Sequence, residues 1–197
     1  IYNQAPIISN QKIKNTHLKG VLKGKRYVKD GTVIEQSMDF SKKNYASIEA
    51  LHQILKRIIF PKLFSKNEQF KIEQEDYFFL RYWMSRTPNE VTIPFYDRET
   101  FFDSYGKFFI YGDKKGEITN TTRIYNKVGL AYGTTTDVAY VKDRNGIEFF
   151  LTATILTNKN EIFNDNNYEY DQLGIPFLAA LGREIYQFEK NKNLLEN

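Results

Sequence analysis

The stretch from Arg123 to Ile155, RIYNKVGLAYGTTTDVAYVKDRNGIEFFLTATI, constrains the fold of this chain more than any other. It reads as three consecutive strands. In the first, Ile124, Asn126 and Val128 alternate with Tyr125, Lys127 and Gly129, the period of two that a pleated strand imposes. Val138 to Lys142 forms the second strand. Ile147 to Leu156 forms the third and is rich in β-branched and aromatic residues. Asp143-Arg144-Asn145-Gly146 joins the last two, and Asn-Gly accepts the positive φ that tight hairpins need. Strands joined so closely form an antiparallel meander. Its apolar face requires a covering layer, so the rest of the chain must supply helices.

Three segments have helical periodicity. Ser47 suits an N-cap, and Ile48, Leu51, Ile54, Leu55, Ile58 and Ile59 recur at helical spacing until Pro61 ends the run. Glu73 to Ser85 is a second helix, with Tyr77, Leu80, Trp83 and Met84 on one side. Gly174 to Glu189 is the third. Pro176 fits its first turn, and Phe177, Leu178, Leu181, Ile185 and Phe188 form its buried stripe. Upstream, Lys25 to Glu35 reads as a hairpin around Asp30-Gly31. The aromatic segment from Glu90 to Asp113 reads as a short helix over Arg98 to Tyr105 and a strand over Lys107 to Tyr111. Its rings either cover one side of a pocket or pack on the sheet. A chain of 197 residues, 41% of them hydrophobic, is long enough for one domain with a sizeable core, and the element pattern makes it α+β.

Several function classes are excluded or disfavoured. The chain has no cysteine, so it has no thiol nucleophile, disulfide frame or Cys metal site. Its two histidines, His17 and His52, do not form a zinc-binding pair, and both read as structural. No metal or cofactor is expected. The net charge of +4 is spread out and interrupted by acids, which argues against a nucleic-acid surface. No run reaches the roughly 18 apolar residues of a membrane span. The sequence starts at Ile1 and shows no signal peptide, which is expected of a processed or truncated product.

Lys127-Val128-Gly129, followed by Tyr132-Gly133-Thr134-Thr135-Thr136-Asp137-Val138-Ala139-Tyr140-Val141, resembles the strand bearing the Lys-Thr/Ser-Gly motif, and the strand after it, in serine β-lactamases and penicillin-binding proteins. The resemblance is closest to the class A β-lactamase-related serine hydrolases and covers roughly residues 45 to 190. It implies a β-lactamase/transpeptidase-like α+β domain whose C-terminal helix packs on the sheet, of which residues 1–197 are the C-terminal part. It also implies an extracytoplasmic location, and acyl transfer from a small or peptide-like substrate through a serine ester. Carried over residue by residue, Lys127 is the electrostatic anchor and Gly129 the point of substrate approach. Ala131 is a candidate for the oxyanion-hole N–H. Val128 stands where the family has Thr or Ser, so the hydroxyl that binds a substrate carboxylate is lost. Thr134, with Thr135 and Thr136, either replaces it or belongs to the turn that follows Gly133.

The family's nucleophile helix has no counterpart here. Ser9-Asn10-Gln11-Lys12 spells Ser-x-x-Lys, but Ile13-Lys14-Asn15-Thr16-His17 is not the buried apolar helix that would desolvate the lysine into a base. Glu35 is the one acid near the deacylating position, and its hairpin context argues against that role. The expected function is therefore the non-nucleophile half of a serine hydrolase, associated with the missing N-terminal portion or with a second copy. The alternative is a non-catalytic module of the same fold that binds a peptide, a glycan or a protein partner through the aromatic segment.

Overall fold

A computed structural model describes residues 20–43, 46–118 and 121–196; Ser9, Lys12 and His17 lie outside them. The chain begins with small strands: β1 (Leu22–Lys23), β2 (Arg26–Lys29), β3 (Thr32–Ile34) and β4 (Met38–Asp39). β2 and β3 form the expected hairpin. It turns at Asp30 and Gly31, with φ of 49° and 77°. β4 pairs antiparallel with β1.

α1 (Ile48–Ile59) begins where the sequence predicts, with the Ser47 hydroxyl accepting from the Ala50 N–H at 3.0 Å. Phe60 caps it immediately before Pro61. α2 (Gln74–Ser85) starts on a capping box in which the Glu73 N–H donates to Asp76 at 2.9 Å. Tyr77 is buried on its inner side, but Trp83 is 45% exposed, joining Phe78, Phe79 and Tyr82 on the outer face rather than the core stripe predicted for it.

The aromatic segment departs from the sequence reading in two places. Arg98 to Tyr105 forms turns rather than a helix, and Lys107 to Tyr111 is not a strand. α3 (Phe108–Tyr111) is a single kinked turn, with Phe109 at ψ 138° and Ile110 at φ 72°, ψ −48°. The physical reason is burial. Phe108, Phe109 and Ile110 are all buried, and three consecutive residues cannot share one face of a strand. The kink turns all three inward.

The meander is β5 (Thr122–Ala131), β6 (Thr134–Asp143) and β7 (Glu148–Leu156), antiparallel in chain order. β6 is longer than the predicted Val138–Lys142 because Tyr132 and Gly133, at φ 50° and 78°, complete the turn by themselves. Thr134, Thr135 and Thr136 are therefore strand residues. β8 (Ile162–Phe163) adds parallel to β2. A π-helical turn, Tyr170–Gly174, leads into α4 (Ile175–Glu196).

Parity along the strands builds two cores. Ile124, Val128, Ala139, Val141 and Phe149 pack on one face against α3 and α4. Tyr125, Val138, Tyr140 and Phe150 pack on the other against Leu55 and Ile59 of α1. Leu55 and Leu178 are fully buried, each stabilising the fold by about 1.5–3 kcal/mol relative to exposure. Phe177 and Phe188 of the predicted α4 stripe are instead 48% and 64% exposed, since, about three turns apart, they share one flank of the helix beside the Leu178–Leu181–Ile185 line that meets the sheet. The architecture is α+β, an antiparallel sheet with its C-terminal helix packed across one face. No strand among the described residues pairs with the outer edge of β5 or of β7. No described helix is long and apolar enough to cross a membrane.

Candidate functional site

Pleating separates the residues that the sequence singles out. Lys127 pairs with Val138, Gly129 with Thr136 and Ala131 with Thr134, so all six lie on the α1 side of the sheet. Val128 lies on the opposite side and packs against the α3–α4 core. Lys127 is exposed, and its Nζ donates to the Val128 carbonyl at 2.6 Å. A side chain built at Gly129 would meet nothing within 4 Å, so the strand is open to close approach at that point.

Two clefts flank this end of β5. One, of about 630 Å³, lies on the α1 side between Ala131, Thr134, Thr136 and Thr154 and the Ile48 end of α1. The Thr136 and Thr154 hydroxyls share a hydrogen bond of 2.8 Å on its floor. Lys43 reaches across to the Tyr132 hydroxyl at 2.7 Å, which ties the N-terminal strands to the hairpin. The other cleft, of about 670 Å³, runs along the open edge of β5 past Val128, Gly129 and Leu130. Phe102 and Tyr105 form its far wall with Ile175 and Pro176, so part of the aromatic segment does cover a pocket. Gly129 stands where the two clefts approach each other across a strand without a side chain.

The other sequence candidates have ordinary roles. The His52 Nδ1 is 2.9 Å from the Thr152 hydroxyl, and its ring packs on Phe150, as expected of a structural histidine. Glu35 lies just beyond β3 and pairs loosely with Arg26 at 3.9 Å. The described residues hold no group of His, Cys, Asp or Glu able to bind a metal ion.

Two strongly perturbed groups of the buried side are ones that the sequence does not single out. Lys107, 5% exposed, donates from Nζ to the Met84 carbonyl at 2.7 Å, the Ile124 carbonyl at 2.9 Å and Asn126 Oδ1 at 2.8 Å. Asn126 Nδ2 passes the connection on to Asp137 at 2.9 Å and also donates to the Gly106 carbonyl. The Asp137 carboxylate, fully buried, accepts the Phe109 N–H at 3.2 Å and so fixes the α3 kink. Burial raises the Asp137 carboxyl to about 7, against the pull of Asn126, Phe109 and the Lys107 charge. Burial lowers Lys107 to about 8, partly offset by Asp137. Parity offers one signal for this cluster. Asn126 and Asp137 fall at core-facing positions of neighbouring strands, where polar residues need a reason. Lys107 has no such signal, since its segment reads as a strand.

No family model, curated protein or solved structure matches this chain.

Proposed function

We propose that this chain is the C-terminal portion of a β-lactamase-like serine hydrolase, with Lys127 as the charged anchor of its site. The observation that carries the reading is the open end of β5, where Lys127 is exposed and Gly129 unobstructed on a strand edge that no described strand pairs. A substrate backbone can lie along such an edge, as in strand addition. The nucleophilic serine would come from chain outside the described residues. Its hydroxyl attacks the substrate carbonyl and forms a serine ester. The leaving group departs with the proton, and water then hydrolyses the ester. Lys127 supplies positive charge to the anionic transition state, and Thr134 and Thr136 offer hydroxyls nearby. The exposed aromatic face of α2 supports association with the rest of such a domain. The location that accompanies this reading is extracytoplasmic.

Val128 favours a second reading, a non-catalytic binding module. It carries no hydroxyl, and its side chain packs toward the core. One experiment separates the two. The protein, with its upstream coding sequence, is treated with a fluorophosphonate and with a fluorescent penicillin. Covalent labelling that falls in Lys127→Ala supports the hydrolase. No labelling of the wild type by either probe supports the binder. Labelling unchanged in Lys127→Ala shows that Lys127 is only a surface residue. Val128→Thr should not by itself create strong penicillin turnover.

A further inference from the structure

Lys107, Asn126 and Asp137 are three side chains with chemistry that the acyl-transfer reading does not use. They are 5%, 6% and 0% exposed. Asn126 and Asp137 face the opposite side of the sheet from Lys127.

Their order in space is that of a nucleophile, an acyl group and an acid. The Lys107 amine lies 2.8 Å from Asn126 Oδ1. On its other side the same carboxamide gives Nδ2 to both Asp137 oxygens, at 2.9 and 3.1 Å. Backbone groups hold all three in place. The Met84 and Ile124 carbonyls fix the amine at 2.7 and 2.9 Å. The Gly106 carbonyl fixes the carboxamide at 2.8 Å, and the Phe109 N–H fixes the carboxyl at 3.2 Å. A nucleophile held beside its acyl group reacts as though at very high concentration.

The protons fit the same reaction. Burial disfavours charge on Lys107 and on Asp137 alike, so passing the proton from the ammonium to the carboxylate relieves both. The neutral amine then has two N–H groups and one lone pair. The Met84 and Ile124 carbonyls retain the two N–H groups, and the lone pair faces the third neighbour, Asn126. Lone pairs on nitrogen and oxygen repel, which turns the amine toward the adjoining carboxamide carbon.

We propose that Lys107 and Asn126 join in an intramolecular isopeptide bond, with Asp137 as the acid and base. The Lys107 nitrogen attacks the side-chain carbonyl carbon of Asn126. The bond from that carbon to Nδ2 breaks as Asp137 delivers its proton to Nδ2, and ammonia leaves. The Lys107 nitrogen returns one proton to the Asp137 carboxylate, so the acid is regenerated and no other reactant is needed. The resting ammonium is held by all three acceptors, so the step is slow and freshly made protein keeps Lys107 as a free amine. Once formed, the bond ties the start of α3 to β5 across 19 positions of sequence.

The test is mass spectrometry of the folded wild-type protein, fresh and after days at neutral pH. Chains lighter by one ammonia should accumulate. Their tryptic digest should contain a branched peptide that joins residues 99–114 to residues 124–127 and is uncut after Lys107. The same protein kept unfolded in guanidinium should yield none. Asp137→Asn keeps both reacting groups and removes the acid, so its branched peptide should form about a hundredfold more slowly or worse. If that buried variant does not fold, the comparison of folded with unfolded wild type carries the test. The proposal is overturned if the aged, folded wild type loses no ammonia, or if the loss maps elsewhere, as to a succinimide at Asn145-Gly146. It is also overturned if unfolded wild type or folded Asp137→Asn forms the branched peptide as fast as the folded wild type.

Discussion

On the α4 side of the meander, Phe109, Ala139, Val141 and Leu178 have no measurable exposure, and a lysine, an asparagine and an aspartate are sealed in beside them. On the α1 side, toward the Tyr132-Gly133 turn, Lys127 and Gly129 stand open and three threonines face a cleft. Adjacent residues of β5 supply both environments, and alternation alone assigns them: Asn126 points in, Lys127 out. The difference teaches that residue type is a poor guide to role here. Lys107 and Lys127 are chemically the same. One holds three elements together through three saturated hydrogen bonds, and the other has nothing to hold except its neighbour's carbonyl.

The largest expected effect breaks the closed side. Lys107→Ala leaves the Met84 and Ile124 carbonyls and Asn126 without a donor, and leaves Asp137 without its compensating charge. Urea unfolding should show a loss of about 3–5 kcal/mol, as for other buried ion networks deprived of one partner. A loss under 1 kcal/mol would mean that the network is solvated in solution.

A second measurement uses pH. The Asp137 carboxyl titrates near 7 when folded and near its ordinary value of about 4 when unfolded, so the folded state holds the proton more tightly. That contribution to stability is complete below pH 4 and is lost as pH rises through 7. Asp137→Asn should flatten the fall in stability over this window and resemble the wild type most at its acid end. An unchanged slope would show that Asp137 is ionised throughout.

A smaller effect tests the seam between α4 and the α3 kink. A Cβ on Gly182 would sit 2.6 Å from the Ile110 nitrogen and 2.9 Å from the Phe109 Cβ. Gly to Ala in a helix normally gains about 1 kcal/mol. Here the backbone contact should reverse the sign, and thermal unfolding should show a loss of about 1–3 kcal/mol from overpacking.

The smallest effect sharpens the contrast. Lys127→Ala should change stability by less than about 1 kcal/mol, as expected where an exposed charge is removed. Any substantial loss of probe labelling in that variant then belongs to chemistry rather than folding.

Much of this architecture was legible in the sequence because local signals agree with the fold. Ser47, Pro61, Asp30-Gly31 and the alternation of β5 each specify their element without reference to the rest of the chain. The α3 kink was not legible. Its conformation is imposed by the Asp137 carboxylate on one side and by the bare surface of Gly182 and the guanidinium of Arg183 on the other, all distant in sequence. The exposure of Phe177 and Phe188 was not legible because the apolar stripe of α4 is wider than the line that meets the sheet, and both rings fall on its uncovered flank. At the candidate site, the motif residues were legible as a string. Their division between two faces follows from the pleat, which sends Val128 inward whenever Lys127 faces out.

The saturated amine of Lys107 also bears on covalent labelling. A lysine with a depressed pKa ordinarily reacts readily with acylating reagents, because more of it is neutral at a given pH. For Lys107 the neutral form would still have to break contacts with three acceptors before its lone pair met an electrophile. Succinimidyl esters should therefore modify Lys127 early and Lys107 only when the protein unfolds, which makes Lys107 an internal gauge of the native state.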